Sequence, residues 1–173
     1  MQTIVIPSNK ERLAKAIDSS WEICSQRIAS KKIKINKESS LQLHLGSILK
    51  EFGELACVYP GEEFLIELET DHEKQNIDVY CTLGDIHAAI ELKCFRRSSN
   101  RAKDIDMYDV LKDISRLESY QHAAIRRFIC LTDNGYYPGG AHTGHAGSVS
   151  IKNGKSYNKG EKVEVDPGNW TPS

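Results

Sequence analysis

The chain has 173 residues, of which 39% are apolar and 27% charged, with a formal net charge of −1. That length suits one domain, and the apolar share is enough for a packed core, which excludes wholesale disorder. The balanced charge also excludes a globally basic polyanion binder, so affinity for nucleic acid has to come from local patches.

No apolar run approaches the roughly 20 residues of a membrane span, so no membrane partner is expected. The opening MQTIVIPSNK lacks the zones of a secretory signal. The five cysteines, Cys24, Cys57, Cys81, Cys94 and Cys130, are odd in number and never spaced C-x-x-C. They read as reduced thiols in a cytoplasmic protein without a structural zinc.

Ser8 and Glu11 have capping-box spacing, and Leu13, Ile17, Cys24 and Ile28 recur at helical intervals, predicting a helix over 9–30. A basic stretch follows, with Arg27, Lys31, Lys32, Lys34 and Lys37 and no acid among them. It is either a solvated helix end or a phosphate-contacting patch. A second helix is expected over 37–53, on the stripe Leu41, Leu45, Ile48, Leu49 and Phe52. Glu38 and Gln42 share that stripe.

Three strands follow. Residues 63–69 alternate, with Phe64, Ile66 and Leu68 on one face. Residues 76–82 put Ile77, Val79 and Cys81 on one face and Asp78, Tyr80 and Thr82 on the other. Residues 87–94 put Ala89, Glu91 and Lys93 opposite Ala88, Ile90, Leu92 and Cys94. Leu83-Gly84-Asp85 reads as the hairpin turn between the last two, and the three form an antiparallel meander with one dry face. A helix over 106–121, carrying Val110, Leu111, Ile114 and Leu117 inward, leads to a strand over 124–132. The unbroken run Phe128–Leu131 of that strand predicts an interior position, parallel to the third strand. Residues 133–147 hold five glycines and read as a flexible loop, and Asn153-Gly154 as the turn of a C-terminal hairpin. His142 and His145 lie in that loop with no acid or Cys nearby, a poor zinc site.

The chemistry gathers on the polar faces of the second and third strands. Glu91 and Lys93 point the same way, ~6.5–7 Å apart along their strand. A hairpin centred near residue 84 brings Asp78 beside Glu91. Two close carboxylates repel unless one protonates or a cation intervenes. Mg²⁺ or Mn²⁺, held by Asp78 and Glu91, suits such a pair, and a neighbouring lysine would stabilise negative charge on a phosphoryl group. The plain alternative is a cross-strand ion pair on an exposed ribbon.

The segments Ile77-Asp78-Val79-Tyr80 and Ile90-Glu91-Leu92-Lys93 resemble the PD-(D/E)XK nuclease superfamily, whose signature is an Asp on one core strand and acid-x-Lys on the next. Ile77 stands where the signature has proline. The order helix, meander, helix, strand over residues 37–132 also agrees with that family. The resemblance implies an α/β, restriction-endonuclease-like core: a mixed central sheet of four or more strands flanked by helices, in a single domain over 1–173. It implies Asp78 and Glu91 as metal ligands and Lys93 as the catalytic lysine, with Glu38 the candidate for the helix acid and Gln42 beside it. The activity implied is Mg²⁺-dependent hydrolysis of nucleic acid, DNA rather than RNA, with a homodimer as one route to a duplex cut.

The loop leaving the third strand carries Arg96, Arg97, Arg101 and Lys103, a candidate track for the phosphate backbone; Arg126 and Arg127 would extend it. Two other functions fit the sequence. One is a catalytically inactive nuclease-fold protein that binds nucleic acid or a partner protein. The other is an accessory protein using the acidic stretch 62–73 against a basic partner.

Overall fold

The computed structural model describes residues 5–72, 75–99, 101–143 and 145–153. Helix α1 (Asn9–Ala29) starts at the expected capping box: the Ser8 hydroxyl accepts from the Glu11 N–H, and Glu11 Oε2 accepts from the Ser8 N–H at 2.8 Å. Helix α2 (Glu38–Ala56) follows, then strands β1 (Phe64–His72), β2 (Gln75–Leu83) and β3 (Ile86–Phe95). Helix α3 (Lys103–Ser119) leads to β4 (Ile125–Thr132), followed by two single turns, α4 (Tyr136–Gly139) and α5 (His145–Ser148).

The strands form one mixed sheet in the order β1-β2-β3-β4. The first three are antiparallel, and β4 runs parallel to β3 after the α3 crossover. The α1–α2 layer covers one face through Leu13, Leu45, Leu49, Val79, Ile90 and Leu92. The other face lies under α3, where Tyr80 and Ala89 pack with Leu117 and Tyr120. Over β2 and β3 both faces are therefore dry, not one, while β1 keeps Leu65, Glu67 and Glu69 exposed.

Three further expectations are corrected. Strand β4 is an edge strand among the described residues, not an interior one. Its apolar run is explained by layers on both sides: Ile129 faces α1 and α2, while Phe128 and Cys130 pack towards α3 and Tyr137. The 133–147 segment is not an open loop. Tyr137 is buried and donates to the buried Asp106 carboxylate at 2.5 Å, and Val149 fills the same cluster. The first arm of the expected C-terminal hairpin, 149–152, is not a strand, and its turn at Gly154 lies outside the described residues.

Two glycines on α2 let it lie close to β1. A Cβ on Gly53 would sit 2.3 Å from the Phe64 ring, and one on Gly46 would sit 3.2 Å from Leu68 Cδ2. Both fall on the same helix stripe as Gln42 and Leu49, so this close contact sets how Glu38 and Gln42 stand over the sheet. Gly53→Ala gains helix propensity worth ~1 kcal/mol, but the overlap with a buried ring costs more. Urea unfolding should show a net loss of about 1–2 kcal/mol for Gly53→Ala and a smaller change for Gly46→Ala.

Candidate functional site

The site is built around a fork in the sheet. The β2–β3 loop is two residues, Gly84-Asp85, closed by the Leu83–Ile86 pair. Gly84 takes φ 59° at the first turn position, where a tight hairpin demands glycine. From that turn the β2–β3 ladder runs to the Val79–Ile90 pair and stops. One step further in the same register, Asp78 stands opposite Glu91.

At that step the backbone pairing is replaced by side chains. Asp78 Oδ2 accepts from the Leu92 N–H at 2.6 Å, and the Gln42 amide donates to the Asp78 carbonyl at 2.6 Å. Beyond it β3 continues to Phe95 paired only with β4, while the lower half of β2 stays with β1. Glu69, across β1 from Asp78, has φ 51°, a left-handed conformation that a non-glycine residue holds at a cost of ~1–3 kcal/mol. The ribbon turns there. As a result Ile77 packs with Tyr80, Ala89 and Leu117, and not with Val79 and Cys81 as strict alternation predicts.

Glu91 is 1% exposed. Its Oε2 pairs with Arg116 at 2.7 Å, and its Oε1 is buried with no hydrogen-bond donor among the described residues. Lys93 Nζ lies 2.8 Å from Asp113 and 3.8 Å from Glu38, which opens α2. The five candidates, Asp78, Glu91, Lys93, Glu38 and Gln42, thus gather at one fork.

The electrostatics follow from burial. Loss of water and then the Asp78 charge raise the Glu91 pKa to about 7, against the relief given by Arg116. Burial raises Asp78 and Glu38 above the ordinary carboxylate range as well. Lys93 is also desolvated, which works against its charge. The Asp113 hydrogen bond and the nearby carboxylates outweigh that and raise its pKa, so Lys93 is an ammonium at neutral pH.

Two participants were not singled out from the sequence, Asp113 and Arg116. Asp106, Val110, Asp113 and Leu117 share one buried stripe of α3. Acids at core-facing positions were the available signal, since a buried carboxylate needs a partner. Asp113 meets Lys93, and Arg116 joins Glu91 to Asp113 (3.4 Å), giving an alternating chain of charges from β3 to α3.

In the basic loop leaving β3, Arg97, Arg101 and Lys103 are exposed, and two of its arginines are ion-paired. Arg96 pairs with Asp133 at 2.9 Å, and Arg101 with Asp109 at 2.5 Å and Asp106 at 3.4 Å. The Arg97 N–H donates to Asp133, and the Lys103 ammonium sits 5.1 Å from the centroid of the Tyr136 ring. Arg127 pairs with Asp18 on α1. Arg96 and Arg101 therefore fasten the loop to β4 and α3. In the acidic stretch, Glu62 is engaged by the buried Arg12, which holds its pKa down at about 2.

Among the described residues no three His, Cys, Asp or Glu side chains gather as a metal cage; Asp78 and Glu91 form a pair. His142 is held by Ser150 and the Tyr136 carbonyl. All five cysteines are free, and no described helix is long and apolar enough to cross a membrane. The chain matches no family model, no curated protein and no solved structure.

The raised Glu91 pKa makes a stability prediction. Its ordinary value is 4.5 and its folded value about 7, so the folded state favours the proton. Stability from this group is full below about pH 4.5 and is lost as pH rises through 7. The loss is on the order of 3 kcal/mol. Glu91→Gln should flatten the fall in melting temperature between pH 5 and pH 8. It should also leave the variant at least as stable as the parent at pH 8. A parallel fall in both proteins would show that Glu91 is not the titrating group.

Proposed function

We propose that this chain is a divalent-cation-dependent nuclease of the PD-(D/E)XK type, hydrolysing phosphodiester bonds in DNA. The observation that carries the reading is the buried Glu91 Oε1, without a donor among the described residues and close enough to Asp78 for the two charges to repel. Two carboxylates that each resist ionisation, with an oxygen left unpartnered, are stabilised by a hard cation. The order helix, meander, helix, parallel strand also favours a restriction-endonuclease-like core.

Asp78 and Glu91 are the residues that would hold Mg²⁺ or Mn²⁺, since such ions take one or two carboxylates and fill the remaining positions with water and phosphate oxygens. The bound ion would supply a Lewis acid and a more acidic water. The protein's own contributions can be derived separately. The Leu92 N–H and Gln42 fix Asp78 at the fork. Asp113 keeps Lys93 charged and in place. Lys93 is therefore suited to stabilising negative charge on the phosphate, not to accepting a proton. Glu38, with its pKa raised by burial and lying 3.8 Å from Lys93, is the nearer candidate for a proton acceptor.

The rival reading, a nuclease-like fold that binds without cutting, draws on the internal counter-ions: Arg116 already neutralises Glu91, and Asp113 already occupies Lys93. Plasmid nicking with Mg²⁺, with Mn²⁺ and with chelator separates the two. Cleavage should need the metal, and because proton and metal compete for Glu91 the half-saturating metal concentration should fall as pH rises. Asp78→Asn and Lys93→Ala should each reduce it by roughly 100-fold or more without unfolding the protein. Unchanged nicking by both variants, or calorimetry showing no Mg²⁺ or Mn²⁺ site, would remove the nuclease reading.

A further inference from the structure

We infer that the connection between α1 and α2 is the surface that carries the phosphate backbone of nucleic acid to the fork. This inference rests on the nuclease reading for its substrate class and adds a second docking track to the 96–103 loop, where Arg97 and Lys103 are exposed. The last turn of α1 and the connection together have five cations, Arg27, Lys31, Lys32, Lys34 and Lys37, in eleven residues without an acid, in a chain of net charge −1. All five are exposed, and none has an ion-pair partner among the described residues. Arg96 and Arg101, by contrast, are committed to aspartates.

Two of these lysines occupy positions where folding favours another residue. Lys31 ends α1 with φ 60°, and the bonds Lys32 N–H to Arg27 O (2.9 Å) and Lys31 N–H to Ile28 O (3.0 Å) define the turn in which glycine is preferred. Lys37 is the N-cap of α2 and makes no side-chain cap. A cation at a helix N-terminus opposes the dipole, and Ser, Thr, Asp or Asn would serve the helix better. The helix dipole accounts for cations at the end of α1, but it does not account for Lys37. A rule of local folding broken at both ends of one basic connection points to a role in binding.

The connection is also held rigidly. Ile35 is 2% exposed in the main core, and Ile33 packs against it, so the lysines between and beside them project from an anchored backbone. Lys37 then lines a cleft of about 350 Å³ that also contains Glu38, Lys93 and Arg96. A strand lying along the lysines therefore leads into the fork.

Fluorescence anisotropy in chelator, where no cleavage occurs, tests the inference with the intact chain and labelled DNA and RNA duplexes of about 20 base pairs at several salt concentrations. The variant Lys31→Gly/Lys32→Gln/Lys34→Gln should bind the preferred duplex at least about tenfold more weakly, with the salt slope smaller by roughly 2–3. Lys31→Gly alone should weaken binding without lowering the melting temperature, because glycine suits that turn. Arg127→Gln, which removes a cation already paired with Asp18 and outside the cleft that Lys37 lines, should leave affinity within about twofold. Parent-like affinity and slope in the triple variant, or a parent protein that binds anionic phosphatidylserine vesicles but neither duplex, would overturn the inference. Hydrolysis of bis(4-nitrophenyl) phosphate, too small to reach the connection, reports on the fork separately. If the parent binds duplex through these lysines but does not hydrolyse this ester with Mn²⁺, the docking surface stands and the catalytic reading fails.

Discussion

The hydrogen bond from the Leu92 N–H to the Asp78 carboxylate is the constraint on which the site depends. At that point a side chain does the work of a backbone carbonyl, so β2 and β3 part without leaving a buried amide unpaired. Gln42 closes the same account from the other side by donating to the Asp78 carbonyl. A sheet that opens in its interior would otherwise lose about 1–3 kcal/mol for each buried group left unsatisfied. Here both groups are met, and the opening becomes a stable cleft edge.

The same arrangement sets the electrostatics. Asp78 is drawn into the fork by its bond, which leaves it near Glu91, and burial takes water from both. Neither acid ionises readily under those conditions. The answer on the α3 side is Arg116 and Asp113, which tie Glu91 and Lys93 to one helix. Such a chain of buried charges adds little net stability. Its value lies in fixing where each group stands, which is what a phosphate-handling site needs.

Charge is divided over the surface in the same spirit. The arginines after β3 fasten that loop to Asp133, Asp106 and Asp109, while the lysines between α1 and α2 face solvent. Clusters that look alike in sequence therefore sit in different surroundings. Density of positive charge did not distinguish them; the acids that fold against them did.

Much of the molecule was legible in the residue order. Helical spacing located α1, α2 and α3, and alternation located the meander. A two-residue turn at Gly84-Asp85 is enough to put Asp78 opposite Glu91, because register in a hairpin is set by its loop. Local chemistry determines such features, and they can be counted along the chain. Ile77 changing faces, β4 lying at the edge, and Arg96 pairing with Asp133 could not be counted in that way. Each depends on a partner distant in sequence: Glu69 across the ribbon, the helix layers on both sides of β4, and Asp133 beyond it. Asp113 and Arg116 belong to the same class, since only the packing of α3 on the sheet decides that an acid and a base on its surface meet Lys93 and Glu91. Periodicity says which way a side chain points, but only the folded chain says what it meets there.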